Sequence, residues 1–432
     1  MARLLLRPGV RRREVWAWAM YDFANSGYTT VVITAVFGAY FVAVVAGDAP
    51  WATFAWTLAL SVSYALIMLT APLIGAWADA HARKKTLLWL TTLGCVGATA
   101  LLYFAAPGAL GLAIAALVVS NYFFGTGENL IAAFLPELAR PRALGRVSGW
   151  GWALGYVGGL VSLGVSLAYI GWAQAQGQGA ADFVPASMLI TAAIFALASL
   201  PALLMLHERA SPVPDHVPRT AWRQVRHTLG HLSQLPDLKR FLVCTVLYQA
   251  GIAAVITLAA IYASQVFHFD TRQTIVLVLV VNITAALGAF VFGHVQDRIG
   301  HVRLIALTLA GWIVMVLLAW AAPDERMFWI AANLAGLCMG ASQSAGRAMV
   351  GLLAPPAHQA EFFGLWGLAV KLASIIGPLT YGVASWLTAG DHRQSLLITG
   401  AWFVAGLWTL RGIRADRGRR AAHRFALVSD HA

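Results

Sequence analysis

Gly75-Ala76-Trp77-Ala78-Asp79-Ala80-His81-Ala82-Arg83-Lys84-Lys85 closes one long apolar run, and Gly293-His294-Val295-Gln296-Asp297-Arg298-Ile299-Gly300-His301-Val302-Arg303 closes another 218 residues later. Each copy has a glycine, an acid four residues on, a small residue three beyond that and then a base. The flanking hydrophobic runs are too long for ordinary core helices. The chain therefore reads as two copies of one membrane-embedded unit. A carboxylate on so short a loop can cap a neighbouring helix N-terminus or hold the adjacent bases. The plainer alternative, an interfacial Asp beside bases that only set topology, fits one copy better than two in register.

Working outward, the chain has 432 residues, 59% of them hydrophobic and 11% charged, with a mean hydropathy of +0.71. Its polar side chains cannot coat a globule of that size, so lipid must solvate it. Cys95, Cys244 and Cys338 stand singly in apolar runs, as small core hydrophobes rather than a disulfide frame or metal site. The net charge of +12 does not point to nucleic acid, because 25 of the 30 Lys and Arg fall in alternate loops and at the two ends. The positive-inside rule then puts both termini in the cytoplasm. The basic arm Arg3 to Arg13 precedes an apolar run too long for a cleavable signal, so that run is expected to be kept as the first span.

Twelve apolar runs, from 16–46 to 395–410, read as spans, and most match or exceed the ~20 residues needed to cross a bilayer. They divide the chain into an N-terminal six-helix bundle (1–206), a linker (207–239), a C-terminal six-helix bundle (240–411) and a basic tail (412–432), expected to be mobile. Within the linker, Ala221 to Leu235 has apolar residues at helical spacing beside bases and reads either as a surface helix or as a solvated tether. Its histidines, His207, His216, His227 and His231, lack zinc spacing, and no metal or other cofactor is expected. Glycines repeat every fourth residue at 151, 155 and 159, and again at 336 and 340, which marks close helix packing.

Four ionisable residues lie deep in these runs: Asp22, Glu128, Arg347 and Lys371. Each costs about 2.5 to 3.5 kcal/mol at the centre of a lone inserted helix, so they must be paired or wet. Their spacing from the nearest cytoplasmic charges puts all four ~13 to 17 Å deep, near the midplane of a ~30 Å core. The acids come from the first half and the bases from the second, so one cavity at the bundle interface can gather them. Asp22 and Glu128 are candidate proton carriers. Arg347 and Lys371 are candidate holders of a substrate anion, with Asn25, Asn129, Gln249 and Gln343 as neutral polar contacts. The alternative is a static Glu128–Arg347 bridge between bundles, with Asp22 bonded to a helix end.

The repeated loop resembles the signature of the major facilitator superfamily, although Ala82 stands where glycine is usual and suggests a looser turn. The resemblance implies a conformational latch of Gly75, Asp79 and Arg83 in one half and Gly293, Asp297, Arg298 and Gly300 in the other. Tyr21-Asp22-Phe23-Ala24-Asn25-Ser26, Ala133-Phe134-Leu135-Pro136-Glu137-Leu138, Gly151-Trp152-Ala153-Leu154-Gly155-Tyr156 and Glu361-Phe362-Phe363-Gly364-Leu365 are similar to the vacuole-effluxer-like family. That likeness implies an all-α polytopic fold of two pseudo-symmetric six-helix bundles. It also implies a secondary transporter working by alternating access, with protons as candidate coupling ion. An amino acid or related zwitterion or organic anion is the expected cargo, and export the expected direction. The bacterial cytoplasmic membrane is the expected location and a monomer the expected state. A drug or metabolite efflux carrier and a non-transporting sensor remain open. G-x-S-x-G, H-E-x-x-H and P-loop motifs are absent, so common hydrolytic and ATP-driven chemistries have no residues to run them.

Overall fold

The computed structural model describes residues 5–47, 49–210, 230, 232–269 and 271–429. Its long elements are all helices. The first half holds α1 (Arg12–Tyr28), α2 (Ala52–His81), α3 (Lys84–Leu101), α4 (Leu110–Ala132), α5 (Leu144–Ala175) and α6 (Ala180–Met205). The second holds α7 (Pro236–Phe267), α8 (Thr271–Ile299), α9 (His301–Ala321), α10 (Glu325–Leu353), α11 (Gln359–Leu387) and α12 (His392–Leu410), followed by α13 (Ala415–Ser429). α1 is prolonged to Val45 by π-helical turns.

Among the described residues, ten helical segments are long and apolar enough to span a membrane by themselves, and α12 qualifies only jointly with α13, bent from it by 67°. α10 falls short because Asn333, Ser342, Gln343 and Ser344 dilute its apolar run. It is lined with buried residues from Phe328 to Leu353, and a helix surrounded by protein need not be as apolar as its lipid-facing neighbours. Phe54, Leu69, Leu197, Leu204, Trp386 and Trp408 are each more than half exposed, as a lipid-solvated surface requires.

Within the first bundle α1 packs on α5 and α6, and α4 on α2 and α3; within the second, α10 packs on α8 and α9, and α7 on α11 and α12. The glycine stripes serve these intrabundle contacts: Gly155 and Gly159 face Ser26 and Thr30 of α1, while Gly336 and Gly340 face Thr284 and Ala285 of α8. Each bundle is also tied from last helix to first. Arg209, just after α6, reaches Glu14 at 2.8 Å. Arg417 grips Asp237 with Nε and Nη2, both at 2.7 Å. Such forked charge-assisted pairs are the strong kind.

The bundles meet at the end of the molecule bearing the α2–α3 and α8–α9 turns, where α2 packs on α11 and α5 on α8. Gly75 lies directly on the Ala360 carbonyl, and Gly149 and Gly293 lie back to back; no side chain fits at these crossings.

Two expectations are corrected. The tail is not a free tether: Ala415–Ser429 is helical, and Gly418, Ala422 and Phe425 are buried. The Phe425 ring meets His358 with 5.6 Å between centroids, while Gly418 fits against Leu353. The period-3.6 apolar face of this basic segment, read only as charge, supplies the docking. Secondly, α7 starts at Pro236, inside the stretch assigned to the linker (207–239), because proline suits the first helical turn and Asp237 beside it bonds the Arg414 amide and the Arg417 side chain. Most of the Ala221 to Leu235 segment, with His216, His227 and His231, lies outside the described residues.

Candidate functional site

A cavity of about 350 Å³ runs from the middle of the molecule toward the end opposite the interface. Its floor carries Asp22 and Asn25 of α1, Glu128 of α4, Trp152 and Tyr156 of α5, Gln343 and Arg347 of α10, and Trp366 of α11. Its walls are apolar and aromatic, including Tyr262, Met315, Phe328 and Met339. All four intramembrane charges meet here or just behind, and none points at lipid.

Their partners differ from the sequence reading. Arg347 does not bridge to Glu128; its Nη1 binds both Asp22 oxygens at 2.7 and 3.0 Å. Its Nε donates to Ser148 Oγ at 3.1 Å and its Nη2 to the Ser148 carbonyl at 2.9 Å. The guanidinium lies over Trp18 at 4.6 Å and near Trp152 at 5.3 Å, a cation–π setting suited to arginine. Glu128 instead takes Lys371, Nζ to Oε2 at 3.2 Å. Lys371 sits against Tyr64 and Phe124. The physical reason is reach: the long Arg347 side chain crosses from α10 to the α1–α5 seam, where Gly151 leaves room for it and for Asp22. Both pairs join an acid of the first bundle to a base of the second.

Of the neutral candidates, Asn25 and Gln343 line the cavity, whereas Asn129 and Gln249 stand behind it, as does the base Lys371. Gln249 and Gln343 bond to each other at 2.8 Å. Asn129 packs against Gly367 of α11 instead.

The paired loops form two matching contacts. Asp79 accepts the Glu361 amide at 2.9 Å, capping the first turn of α11. Asp297 accepts the Gly145 and Arg146 amides at 3.1 and 3.2 Å, capping the first turn of α5. Each acid thus crosses to the other bundle, where helix N-termini favour negative charge. The expected latch bases are wrong in both halves. Arg83 and Arg298 are exposed; the bases nearest the acids are Lys84, 3.9 Å from Asp79, and Arg146, 3.7 Å from Asp297. Lys84 opens α3 and turns inward, where it also pairs with Glu137. Ala82 does not loosen its turn: it takes the left-handed conformation at φ +48 and ψ +49, and the equivalent Gly300 also has a positive φ, at +94.

Sequence reasoning missed Ser148, Trp18, Tyr64, Lys84 and Arg146. Lys84 and Arg146 were visible as bases near the loops; about 100° of helix phase separates Lys84 from Arg83, whereas Arg146 reaches Asp297 from the other bundle. For Ser148 the recoverable signal was position alone, about one turn beyond Gly145 on the same helix.

Among the described residues, α1–α12 form two pseudo-equivalent halves, joined by crossed loop contacts and enclosing a charged cavity, and they define a major facilitator transporter rather than an enzyme. The human organic anion transporter MFSD10 superposes with a TM-score of 0.71 at 17% identity, over 92% of this chain and 99% of that one. A single-residue variant of the Escherichia coli fucose:proton symporter FucP superposes at 0.70 and 14% identity, over 93% and 97%. The family model described as vacuole effluxer Atg22 like matches residues 41–145 and 142–423, and the chain belongs to that family. An uncharacterized MFS-type transporter, YxiO of Bacillus subtilis, is 27% identical over 90% of this chain and 92% of its own length. Autophagy-related protein 22 of Saccharomyces cerevisiae strain S288c is 19% identical over 88% and 80%.

Proposed function

We propose that this protein is a secondary exporter of a small zwitterion or organic anion, an amino acid being the favoured cargo. It works by alternating access in a bacterial cytoplasmic membrane, with both termini cytoplasmic. The observation that carries this reading is the placement of two acid–base pairs across the bundle interface at the floor of one cavity, sealed on the loop side and open on the other. Rocking the bundles must strain or exchange those pairs, which couples solute binding to access. The rocking units are the bundles α1–α6 and α7–α12. Asp79 and Asp297 latch the loop side, which the basic loops place in the cytoplasm, so the cavity here faces outward.

Glu128 is the stronger proton carrier of the two acids. Its side chain is 28% exposed to Asp22's 10%, and a single ammonium holds it. A proton arriving through the cavity neutralises Glu128 and frees Lys371. Solute uptake into proteoliposomes, with and without a pH gradient, tests the reading. Glu128→Gln should keep solute exchange and lose the response to the gradient; an unchanged response removes Glu128 from coupling. The absence of flux for amino acids and organic anions alike would refute the transport reading.

A further inference from the structure

We infer that Ser148 is a built-in stand-in for the substrate carboxylate, occupying the anion-binding edge of Arg347 while the loop side is closed and surrendering it when that side opens. The inference deepens the transport reading above and rests on it.

The Nε and Nη2 hydrogens of an arginine point along one edge and match the two oxygens of a carboxylate. In this structure that edge meets two oxygens of one residue: Ser148 Oγ at 3.1 Å from Nε and the Ser148 carbonyl at 2.9 Å from Nη2. The other amino group is spent on Asp22. Arg347 therefore has no free fork for a ligand here, although it lines the cavity. Ser148 in turn donates its hydroxyl to the Ser344 carbonyl of α10 at 2.9 Å, so it binds α5 to α10 through both side chain and main chain.

Ser148 also sits one turn from the surface latch. Gly145 and Arg146, whose amides cap onto Asp297, lie three and two residues before it on α5. Any opening of the loop side that lifts α5 from α8 and α10 draws Ser148 off Arg347. A buried guanidinium left with an empty edge is costly, and a carboxylate entering from the newly opened side restores both bonds. Closing the loop side then returns Ser148 to the edge and expels the anion into the outward cavity. The exchange gives high anion affinity on the loop side and low affinity on the other, which is the ordering an exporter needs.

The test uses full-length protein in detergent. Phenylglyoxal modification of Arg347, located by peptide mass spectrometry, reports whether the guanidinium edge is free; hydrogen exchange over residues 144–151 reports whether the latch is open. The probes are L-alanine and propionate, with propionamide as the uncharged control. In wild-type protein Arg347 should resist modification. In Asp79→Asn/Asp297→Asn it should react at least tenfold faster, and at least one carboxylate probe, but not propionamide, should slow that reaction. Ser148→Ala should raise carboxylate affinity several-fold without any latch change, whereas a purely structural serine would leave affinity unchanged or lower it. Fast modification in the closed wild type, an open latch with Arg347 still unreactive, or reactivity that neither carboxylate suppresses would overturn the inference. Should the double variant remain closed by hydrogen exchange, the sign of the Ser148→Ala effect decides. Solute flux in liposomes is read separately: flux without state-dependent protection refutes only the Ser148 exchange, and protection without flux refutes transport.

Discussion

Asp22–Arg347 and Glu128–Lys371 join the same two bundles around one cavity, yet they are built to opposite ends. Arg347 is held by both Asp22 oxygens and both Ser148 oxygens between two indole rings. Lys371 has one contact to an acid whose side chain is 28% exposed. A dry pair held by four hydrogen bonds on the guanidinium resists separation and reports bundle position; a wetter pair with one bond separates more readily. The difference shows that the sign of a charge at the midplane says less about its role than the number of bonds it already has.

The largest effect should come from the dry pair. Arg347→Ala strands the Asp22 carboxylate in a buried site, and breaking such pairs costs about 3 to 5 kcal/mol. Thermal unfolding in detergent should show a marked drop, largely recovered in Asp22→Asn/Arg347→Ala. If the double variant is as unstable as the single one, the pair is not the source of the loss. Lys371→Met should be milder, about 1 to 2 kcal/mol, because Glu128 lines the cavity and can be hydrated there. Equal losses in the two single variants would erase the contrast.

Next in size are the latches, which are alike where the ion pairs are not. Asp79→Asn and Asp297→Asn should each cost about 1 kcal/mol of closed-state preference, the usual worth of a cap with its dipole. Faster hydrogen exchange at 359–364 and 144–149 respectively would register it, and a severalfold disparity between the two would show that the halves do not share the load. The smallest effect is expected at Ala82, whose left-handed backbone costs a non-glycine residue roughly 1 kcal/mol. Ala82→Gly should raise the unfolding midpoint slightly, and a fall would mean that the methyl group packs favourably enough to outweigh the strain.

Architecture was legible because it is written in long-range composition: run lengths, alternating basic loops and a repeat of 218 residues. The depth of Asp22, Glu128, Arg347 and Lys371 was equally open, since helical rise converts spacing to height. Pairing was not. Which acid meets which base depends on helix rotation and on side-chain length across a seam, and Gly151, the residue that makes room for Arg347, looked like one member of a packing stripe. The latch bases failed for a related reason. Arg83 and Lys84 are neighbours in sequence, and about 100° of helix rotation sends one to the surface and the other inward.

The ties from Arg209 to Glu14 and from Arg417 to Asp237 have a consequence for biogenesis. Each half completes its own ring with the residues that emerge just after its sixth helix, so the first can be sealed in the bilayer while the second is still being translated. A gene split between codons 210 and 235 should therefore still yield a working pair of polypeptides when both pieces are co-expressed.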